Sequence, residues 1–155
     1  MNALADLLET GTIKLELEAR KKNEALQELV ELLHRAGRIE NPEATLGGLM
    51  EREKLTSTGI GSGIAIPHLL SPDVGQTVMA FGRKREGLRF DSVDNQPVNL
   101  IFLVVGPKHR EYAHLRLLSR LSRLLHDGSF RRRLLDADTA EEILQALRRE
   151  EDKEG

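Results

Sequence analysis

Residues 98–105 read Val-Asn-Leu-Ile-Phe-Leu-Val-Val, an apolar run with a single polar residue. A strand covered on one face alternates apolar and polar side chains, whereas a strand covered on both faces is apolar nearly throughout. The Gly106-Pro107 pair that follows ends the run. The segment therefore predicts a central strand with helices packed against both of its faces.

Helical periodicity and helix-end signals supply the layers that would cover this strand. Asn41 followed by Pro42 is typical of a helix start. Asparagine caps free amides, and the N–H that proline lacks is not needed at the first position of a helix. The predicted helices span residues 3–8, 23–36, 42–54, 110–126, 128–135 and 139–147. The predicted strands span residues 12–17, 63–66, 77–81 and 98–105. We expect an α/β fold, an α/β/α sandwich with a mixed, mostly buried β-sheet covered by helices on both faces.

The remaining segments are expected to be irregular. Residues 69–75 have the composition of a turn-containing loop, and residues 83–86 that of a charged connection. The acidic end of the chain, from about residue 148 to 155, is expected to be a frayed tail. Because no repeat, linker or low-complexity tract interrupts the pattern, residues 1–155 are expected to form a single domain.

Composition narrows the class of function. The 23 basic and 25 acidic side chains of the 155 residues nearly cancel, which favours neither nucleic acid nor an anionic membrane as the main partner. The absence of cysteine excludes disulfides, thiolate metal sites and cysteine nucleophiles. We see no signal-peptide pattern and no apolar run near ~20 residues, so we expect a cytoplasmic protein without membrane insertion.

Residues 56–68 are the segment that most suggests a function: Thr-Ser-Thr-Gly-Ile-Gly-Ser-Gly-Ile-Ala-Ile-Pro-His. Its three glycines permit close backbone approach, but they match neither a dinucleotide fingerprint nor a P-loop. Pro67 removes a backbone donor and holds the preceding residue extended, so the strand at 63–66 should end there. His68 is therefore expected at a strand end, where an imidazole can change charge near neutral pH.

This segment and the helix end before it resemble a known family. Residues 52–58, Arg-Glu-Lys-Leu-Thr-Ser-Thr, followed by the Gly-Ile-Ala-Ile-Pro-His of 63–68, are similar to the fructose/mannitol-type (type 2) enzyme IIA domains of the bacterial phosphotransferase system. Within that family, the segment looks more like the stand-alone nitrogen-regulatory IIA protein. The resemblance covers most of the chain and implies the same α/β/α sandwich. It also implies that His68 is the phosphoacceptor, that Arg52 stabilises the phosphoryl group, and that His114 faces His68 from a matching His-Leu-x-Leu-Leu helix.

The residues fit phosphoryl transfer, although each allows an ordinary structural role. We expect Nε2 of His68 to be the nucleophile, with Nδ1 bonded to a backbone carbonyl. The guanidinium of Arg52 can bind two phosphoryl oxygens, yet a solvated arginine at a helix end fits the pattern too. Ser57 and Thr58 can donate hydroxyls to phosphate or bond within a turn. His114 begins the apolar stripe of its helix and is either a packing residue or a partner of His68.

The resemblance implies a phosphocarrier, a phosphotransferase component that works through a phosphohistidine intermediate. His68 would accept its phosphoryl group from an HPr-type phosphohistidine protein and pass it to a IIB-type partner or hold it as a regulatory signal. No ATP, metal or organic cofactor is implied, because the donor brings an activated group. The lack of a fused IIB or IIC segment favours the regulatory role. The alternative is a non-catalytic regulatory protein-binding module that keeps the IIA fold.

One departure from the family pattern follows the proline-histidine pair. Many relatives continue with glycine and a basic residue, whereas Leu69 and Leu70 stand here. We expect these two apolar side chains to change the rim that a partner touches.

Other chemistries lack a supporting pattern. The five histidines show no zinc spacing, and a hydrolytic triad of Ser62, His68 and Asp73 has no supporting motif. Basic residues between positions 108 and 133 form either a solvated helix face or a docking surface. Too few aromatic residues accompany them for base stacking.

Overall fold

The computed structural model describes residues 3–154. The α-helices in this range are α1 Lys22–Arg35, α2 Pro42–Leu55, α3 Glu111–Leu124, α4 Gly128–Asp136 and α5 Ala140–Glu154. The strands are β1 Ile13–Lys14, β2 Gly59–Gly61, β3 Ile64–Ala65, β4 His68–Ser71, β5 Val78–Leu88 and β6 Val98–Pro107. Short 3-10 turns lie at Leu4–Leu7, Thr10–Thr12 and Lys108–Arg110.

The strands form one mixed sheet in the order β1-β5-β6-β3-β2, with β4 also paired to β6. Strand β6 is antiparallel to β5 and parallel to β3 and β4. Strands β3 and β4 lie along the same edge of β6, because Ile64 pairs with Leu100 and His68 pairs with Val104. The two short strands are therefore one path along β6 that is interrupted at residues 66–67.

Strand β6 is the buried centre that its apolar run predicts. Leu100, Phe102 and Val104 pack with α3, α4 and α5 on one face of the sheet. Residues 101, 103 and 105 pack with α1 and α2 on the other face. Alternating side chains of one strand thus enter two separate hydrophobic cores. The predicted α/β/α sandwich with a mixed sheet is confirmed.

The predicted signals at the ends of α1 and α2 are also present. Gly37 has a φ of 74°, and the amide of Arg38 bonds to the carbonyl of Leu33 at 2.9 Å, which closes the end of α1. The side chain of Asn41 accepts a bond from the amide of Ala44 at 3.2 Å at the start of α2. These ends fix the helix pair that leads into residues 52–58.

The expected charged connection at residues 83–86 is wrong, because β5 runs through it as one strand of 11 residues. Arg83 and Lys84 are buried, at 3% and 7% exposure. The Arg83 guanidinium donates to the carbonyl oxygens of Leu15, Leu134, Leu135 and Ala137. The Lys84 ammonium donates to the carbonyl of Leu17 at 2.9 Å. Carbonyl oxygens from distant segments thus bind the two buried side chains, whose charges made this part of the sequence look like a loop.

The expected loop at residues 69–75 begins instead as strand β4, which pairs in parallel with β6 over residues 68–71. By contrast, the strand predicted at residues 12–17 is shorter in the structure, where β1 covers only Ile13–Lys14.

The expected frayed tail from about residue 148 is also wrong, since α5 continues to Glu154. Glu151 is buried and accepts bonds from the amides of Leu4 and Ala5 at 2.7 and 2.9 Å. The acidic end is therefore held against the first turn of the chain. Within residues 3–154, no helix combines the length and apolarity needed to cross a bilayer.

Candidate active site

His68 is the first residue of β4 and lies directly after the break at Pro67. Proline lacks an N–H, but the Pro67 carbonyl still accepts a bond from the amide of Val104 at 2.9 Å. The expectation of a histidine at the end of a strand is thus corrected, because the chain re-joins β6 at His68. His68 pairs with Val104, whose side chain lies in the core beneath α3, so the half-buried imidazole faces α3.

A short hydrogen bond holds the His68 ring. Its Nδ1 lies 2.7 Å from the carbonyl oxygen of Ile66, as expected from the sequence. A carbonyl only accepts, so the proton sits on Nδ1 and the Nε2 lone pair remains available. The nitrogen with nucleophilic character is the one farther from the backbone.

His114 lies in the first turn of α3 and is brought to His68, with 5.8 Å between the two ring centroids. It is buried, at 4% exposure, and neither of its ring nitrogens has a hydrogen-bond partner within residues 3–154. Gly106 of β6 makes room for the ring, because a Cβ at that position would lie 2.6 Å from Nδ1 of His114. The imidazole is thus packed closely while its polar atoms stay unused.

Burial keeps both imidazoles neutral at neutral pH. Desolvation is the largest cause that lowers the pKa of His114 to about 4, and positive charge on His68, when it is protonated, or on Arg52 acts in the same direction. Desolvation also lowers the pKa of His68, and the charge of Arg52 adds to that effect. The bond to Ile66 and the charge of Glu53 oppose the decrease for His68. Nε2 of His68 is therefore an unprotonated lone pair.

A pocket of about 400 Å³ opens beside His68. It is lined by Arg52, Leu55, Thr56, Ser57, Thr58, Ile60, Ile66, His68, Leu118 and Ser122. Arg52 reaches it from the last turn of α2, although sixteen residues separate it from His68 in sequence. Within residues 3–154 its guanidinium forms no ion pair, so the charge is free to meet an anion in the pocket.

Ser57 and Thr58 line the pocket, but their hydroxyls bond to the protein. The Ser57 hydroxyl donates to the carbonyl of Phe90 at 3.3 Å, and the Thr58 hydroxyl donates to Glu53 at 2.5 Å. A hydroxyl has one proton, so neither group donates to a ligand in this conformation. In this structure both hydroxyls therefore bond within the protein, which is the second of the two roles that the sequence allows.

Sequence reasoning missed Glu53, which is 8% exposed and bonded to Thr58. The only feature of the sequence that could have pointed to Glu53 is its position next to Arg52. A charged residue in the last turn of a helix is ordinarily expected to face water. Its binding partner, Thr58, lies in the following loop, and only the fold shows that the carboxylate turns inward.

The two leucines after His68 point in opposite directions. Leu69 packs against α2, where a Cβ at Gly48 would lie 2.8 Å from its side chain. Leu70 lies on the same face of β4 as His68. The expectation that both leucines form the rim is therefore corrected, because Leu69 is a packing residue of the opposite core.

Three of the six arginines of α3 and α4 pair with carboxylates of α5. Ion pairs join Arg120 to Glu151, Arg123 to Glu154 and Arg133 to Glu150. Part of this charge therefore joins α3 and α4 to α5. Among residues 3–154, no group of histidine and carboxylate side chains has the arrangement of a metal site.

Comparison with known proteins identifies the family. Residues 6–150 match the model of the phosphoenolpyruvate-dependent sugar phosphotransferase system, EIIA 2. The chain belongs to this family. The resemblance found in residues 52–68 is confirmed.

Relatives of this EIIA 2 domain include sugar-specific and nitrogen-regulatory proteins. The fructose-specific EIIABC component of Bacillus subtilis is 37% identical over 144 residues, which cover 93% of this chain and 23% of that protein. The fructose-specific EIIA component of Haloferax volcanii is 37% identical, with 87% of this chain and 88% of that protein covered. The nitrogen regulatory protein of Bradyrhizobium diazoefficiens is 34% identical, with 93% and 94% covered. The chain thus spans about a quarter of the first relative and most of the other two.

Solved structures of the family have the same fold. The nitrogen regulatory protein IIA-Ntr of Neisseria meningitidis superposes with a TM-score of 0.86 at 35% identity, covering 93% of this chain and 98% of that one. IIA mannitol of Escherichia coli, solved in complex with phosphorylated IIB mannitol, gives a TM-score of 0.76 at 26% identity, covering 91% and 96%.

Proposed function

We propose that this protein is a phosphocarrier of the phosphoenolpyruvate-dependent phosphotransferase system and that His68 is its phosphoacceptor. The observation that carries the proposal is the meeting of His68, His114 and Arg52 around one site, with Nε2 of His68 unprotonated. Membership of the EIIA 2 family supports it. The donor would be an HPr-type phosphohistidine protein, in the cytoplasm.

The transfer needs one bond to break and one to form. The Nε2 lone pair of His68 attacks phosphorus in line with the donor's P–N bond, and the donor nitrogen leaves with that electron pair. Charge in this loose transition state spreads over three oxygens, so positioning and charge stabilisation supply most of the catalysis. The Arg52 guanidinium can bind two of those oxygens without first breaking an ion pair.

His114 would bind the phosphoryl group as it arrives. A buried polar nitrogen without a partner costs about 1–3 kcal/mol. A phosphoryl oxygen on His68 would give a ring N–H of His114 an acceptor, which removes that cost and stabilises negative charge. Ser57 and Thr58 could add hydroxyl bonds to the phosphoryl group if they released Phe90 and Glu53.

The partner would dock on the apolar rim of the pocket. Leu55 and Ile60 line the pocket and are 84% and 43% exposed, and Leu115, one turn before Leu118 on α3, is 56% exposed. Exposed apolar residues around a charged centre are typical of a protein-binding surface. We propose an HPr-type protein as donor and a IIB-type protein or a regulatory target as recipient. A relative solved with phosphorylated IIB and the nitrogen-regulatory relatives support both kinds of recipient.

The test is incubation with phosphoenolpyruvate, enzyme I and an HPr-type carrier, followed by intact mass measurement. We expect one phosphoryl group that is labile in acid, stable in base and missing from His68→Ala. The exposed His126→Ala variant is the matched control and should be modified normally. Label on His68→Ala would reject His68 as the acceptor, and an unmodified native protein would favour the binding-module alternative.

A further inference from the structure

Glu53 is a buried carboxylate with all of its partners inside the protein. Its Oε1 accepts from the amide of Thr58 at 3.0 Å and lies 3.4 Å from the ammonium of Lys22. Its Oε2 accepts from the hydroxyl of Thr58 at 2.5 Å. A buried charge is destabilising unless it is paired and hydrogen-bonded, and here both oxygens are satisfied.

These contacts fix the loop that leaves α2. The helix ends at Leu55 without a glycine cap, and Thr56 makes the last helical bond, to the carbonyl of Arg52 at 3.2 Å. The Glu53 side chain then binds both the amide and the hydroxyl of Thr58 and so ties the loop after α2 back to the last turn of the helix. Lys22 joins this arrangement to the first turn of α1.

A chain of hydrogen bonds leads from Thr58 to the phosphoacceptor. The carbonyl of Thr58 accepts from the amide of Ile66 at 3.0 Å. The carbonyl of the same Ile66 accepts from Nδ1 of His68 at 2.7 Å. The order is therefore Glu53, Thr58, Ile66 and His68, and every link is a direct contact.

We propose that Glu53 is a positioning residue for phosphoryl transfer, which holds the Ile66 carbonyl where it orients the His68 ring. The inference rests on the proposed function of His68 and adds a residue that touches no phosphoryl group. Glu53 also follows Arg52 directly, and the loop residue that it binds, Thr58, lines the same pocket as Arg52.

Glutamine at position 53 would preserve shape but not the contacts. Its carbonyl oxygen can still accept from the Thr58 amide, whereas its NH₂ group cannot accept from the Thr58 hydroxyl. It also leaves the Lys22 ammonium without its buried partner. The tautomer population and the transfer rate of Glu53→Gln should therefore lie between those of the native protein and those of Glu53→Ala.

The test measures geometry and rate on the same samples. Imidazole ¹⁵N NMR reports which nitrogen of His68 carries the proton, and single-turnover transfer from a phosphorylated HPr-type carrier reports the rate. We expect Glu53→Ala to weaken the Nδ1–H tautomer and slow transfer roughly 100-fold, the loss expected for a displacement of ~1 Å. Thr58→Ala should lose part of both signals and Thr58→Ser should restore them.

The control is Glu51→Ala, which removes an exposed carboxylate of the same helix that pairs with Lys54 at the surface. If Glu53 only stabilises the fold, Glu53→Ala would lower the unfolding temperature while the folded variant kept the native tautomer and rate, and that result would overturn the proposal. If Glu53→Ala does not fold, Glu53→Gln and the two Thr58 variants decide by the same criteria. A native protein that accepts no phosphoryl group would reject the proposed function, whereas the tautomer measurement would still decide whether Glu53 orients His68.

Discussion

At the scale of single residues, His114 is polar, buried and without a hydrogen-bond partner within residues 3–154. Such a residue makes the resting protein less stable than an apolar side chain of similar size would. A functional partner for His68 explains why imidazole stands there, because its ring N–H gains an acceptor only when a phosphoryl group enters the site. Packing alone gives no reason for the polar atoms.

His114→Leu separates these two explanations. We expect the unfolding temperature to stay the same or rise, since the substitution removes two buried nitrogens without partners. The rate of phosphoryl transfer should fall about 100-fold or more, the usual loss for one transition-state donor. Both quantities are measured on one sample, with His126→Leu at an exposed position as the control. Native kinetics with lowered stability would make His114 a packing residue.

The pH dependence of stability should also report on His114. The folded protein lowers the pKa of this imidazole from 6.5 to about 4, so below pH 6.5 the unfolded chain takes up a proton that the folded chain refuses. Stability should therefore fall as the pH decreases from 6.5 to 4, by as much as about 3 kcal/mol from this group. Urea unfolding across that range should show a shallower decrease for His114→Leu. A weaker contribution from His68, whose pKa is also lowered, should remain.

Arg52 presents the opposite case, a charged residue that the folded protein leaves without an ion pair within residues 3–154. Arg52→Ala should slow phosphorylation roughly 100- to 1,000-fold and leave the unfolding temperature unchanged. Arg52→Lys keeps the charge but not the planar fork and should be intermediate. Lys54→Ala, two residues later in α2, is the control. Equal rates for Arg52→Ala and Lys54→Ala would identify Arg52 as an ordinary solvated arginine.

At the scale of elements, strand β5 depends on the buried charge of Arg83. Its guanidinium holds carbonyl oxygens at the end of α4 that have no other helical partner. Arg83→Met should lower the free energy of unfolding by about 2–4 kcal/mol and leave the transfer rate of the folded protein unchanged. The control is Arg89→Met, since Arg89 lies just beyond β5 and its side chain is 85% exposed. Equal denaturation midpoints for the two variants would contradict this role.

The elements that sequence predicts well are those whose signals are local. The apolar run of β6 by itself predicts a buried strand. Asn41 with Pro42 marks the start of α2, because the Asn41 side chain binds an amide only three residues away. The continuation of β5 beyond residue 81 was missed because the carbonyls that bind Arg83 lie in distant segments. Glu53 was missed because only the fold of the loop after α2 brings Thr58 to its carboxylate. A buried Arg83 is favourable only once α4 has placed its carbonyls, and nothing near residue 83 in sequence indicates them.

At the scale of the whole molecule, the sandwich brings the site together at one end of the sheet. Strand β4 carries His68, the end of α2 carries Arg52, and the start of α3 carries His114. The first two are sixteen residues apart, and no periodic pattern connects them to residue 114. The family resemblance predicted this meeting, whereas the residues alone left each of the three with an ordinary structural role.

NMR of the phosphorylated protein decides whether Nε2 of His68 accepts the phosphoryl group. With ¹⁵N-labelled histidine, a one-bond ³¹P–¹⁵N coupling identifies the bonded nitrogen. We expect the coupling at Nε2 of His68, while Nδ1 keeps its proton and its bond to Ile66. A coupling at Nδ1 of His68, or at any other histidine, would contradict this assignment.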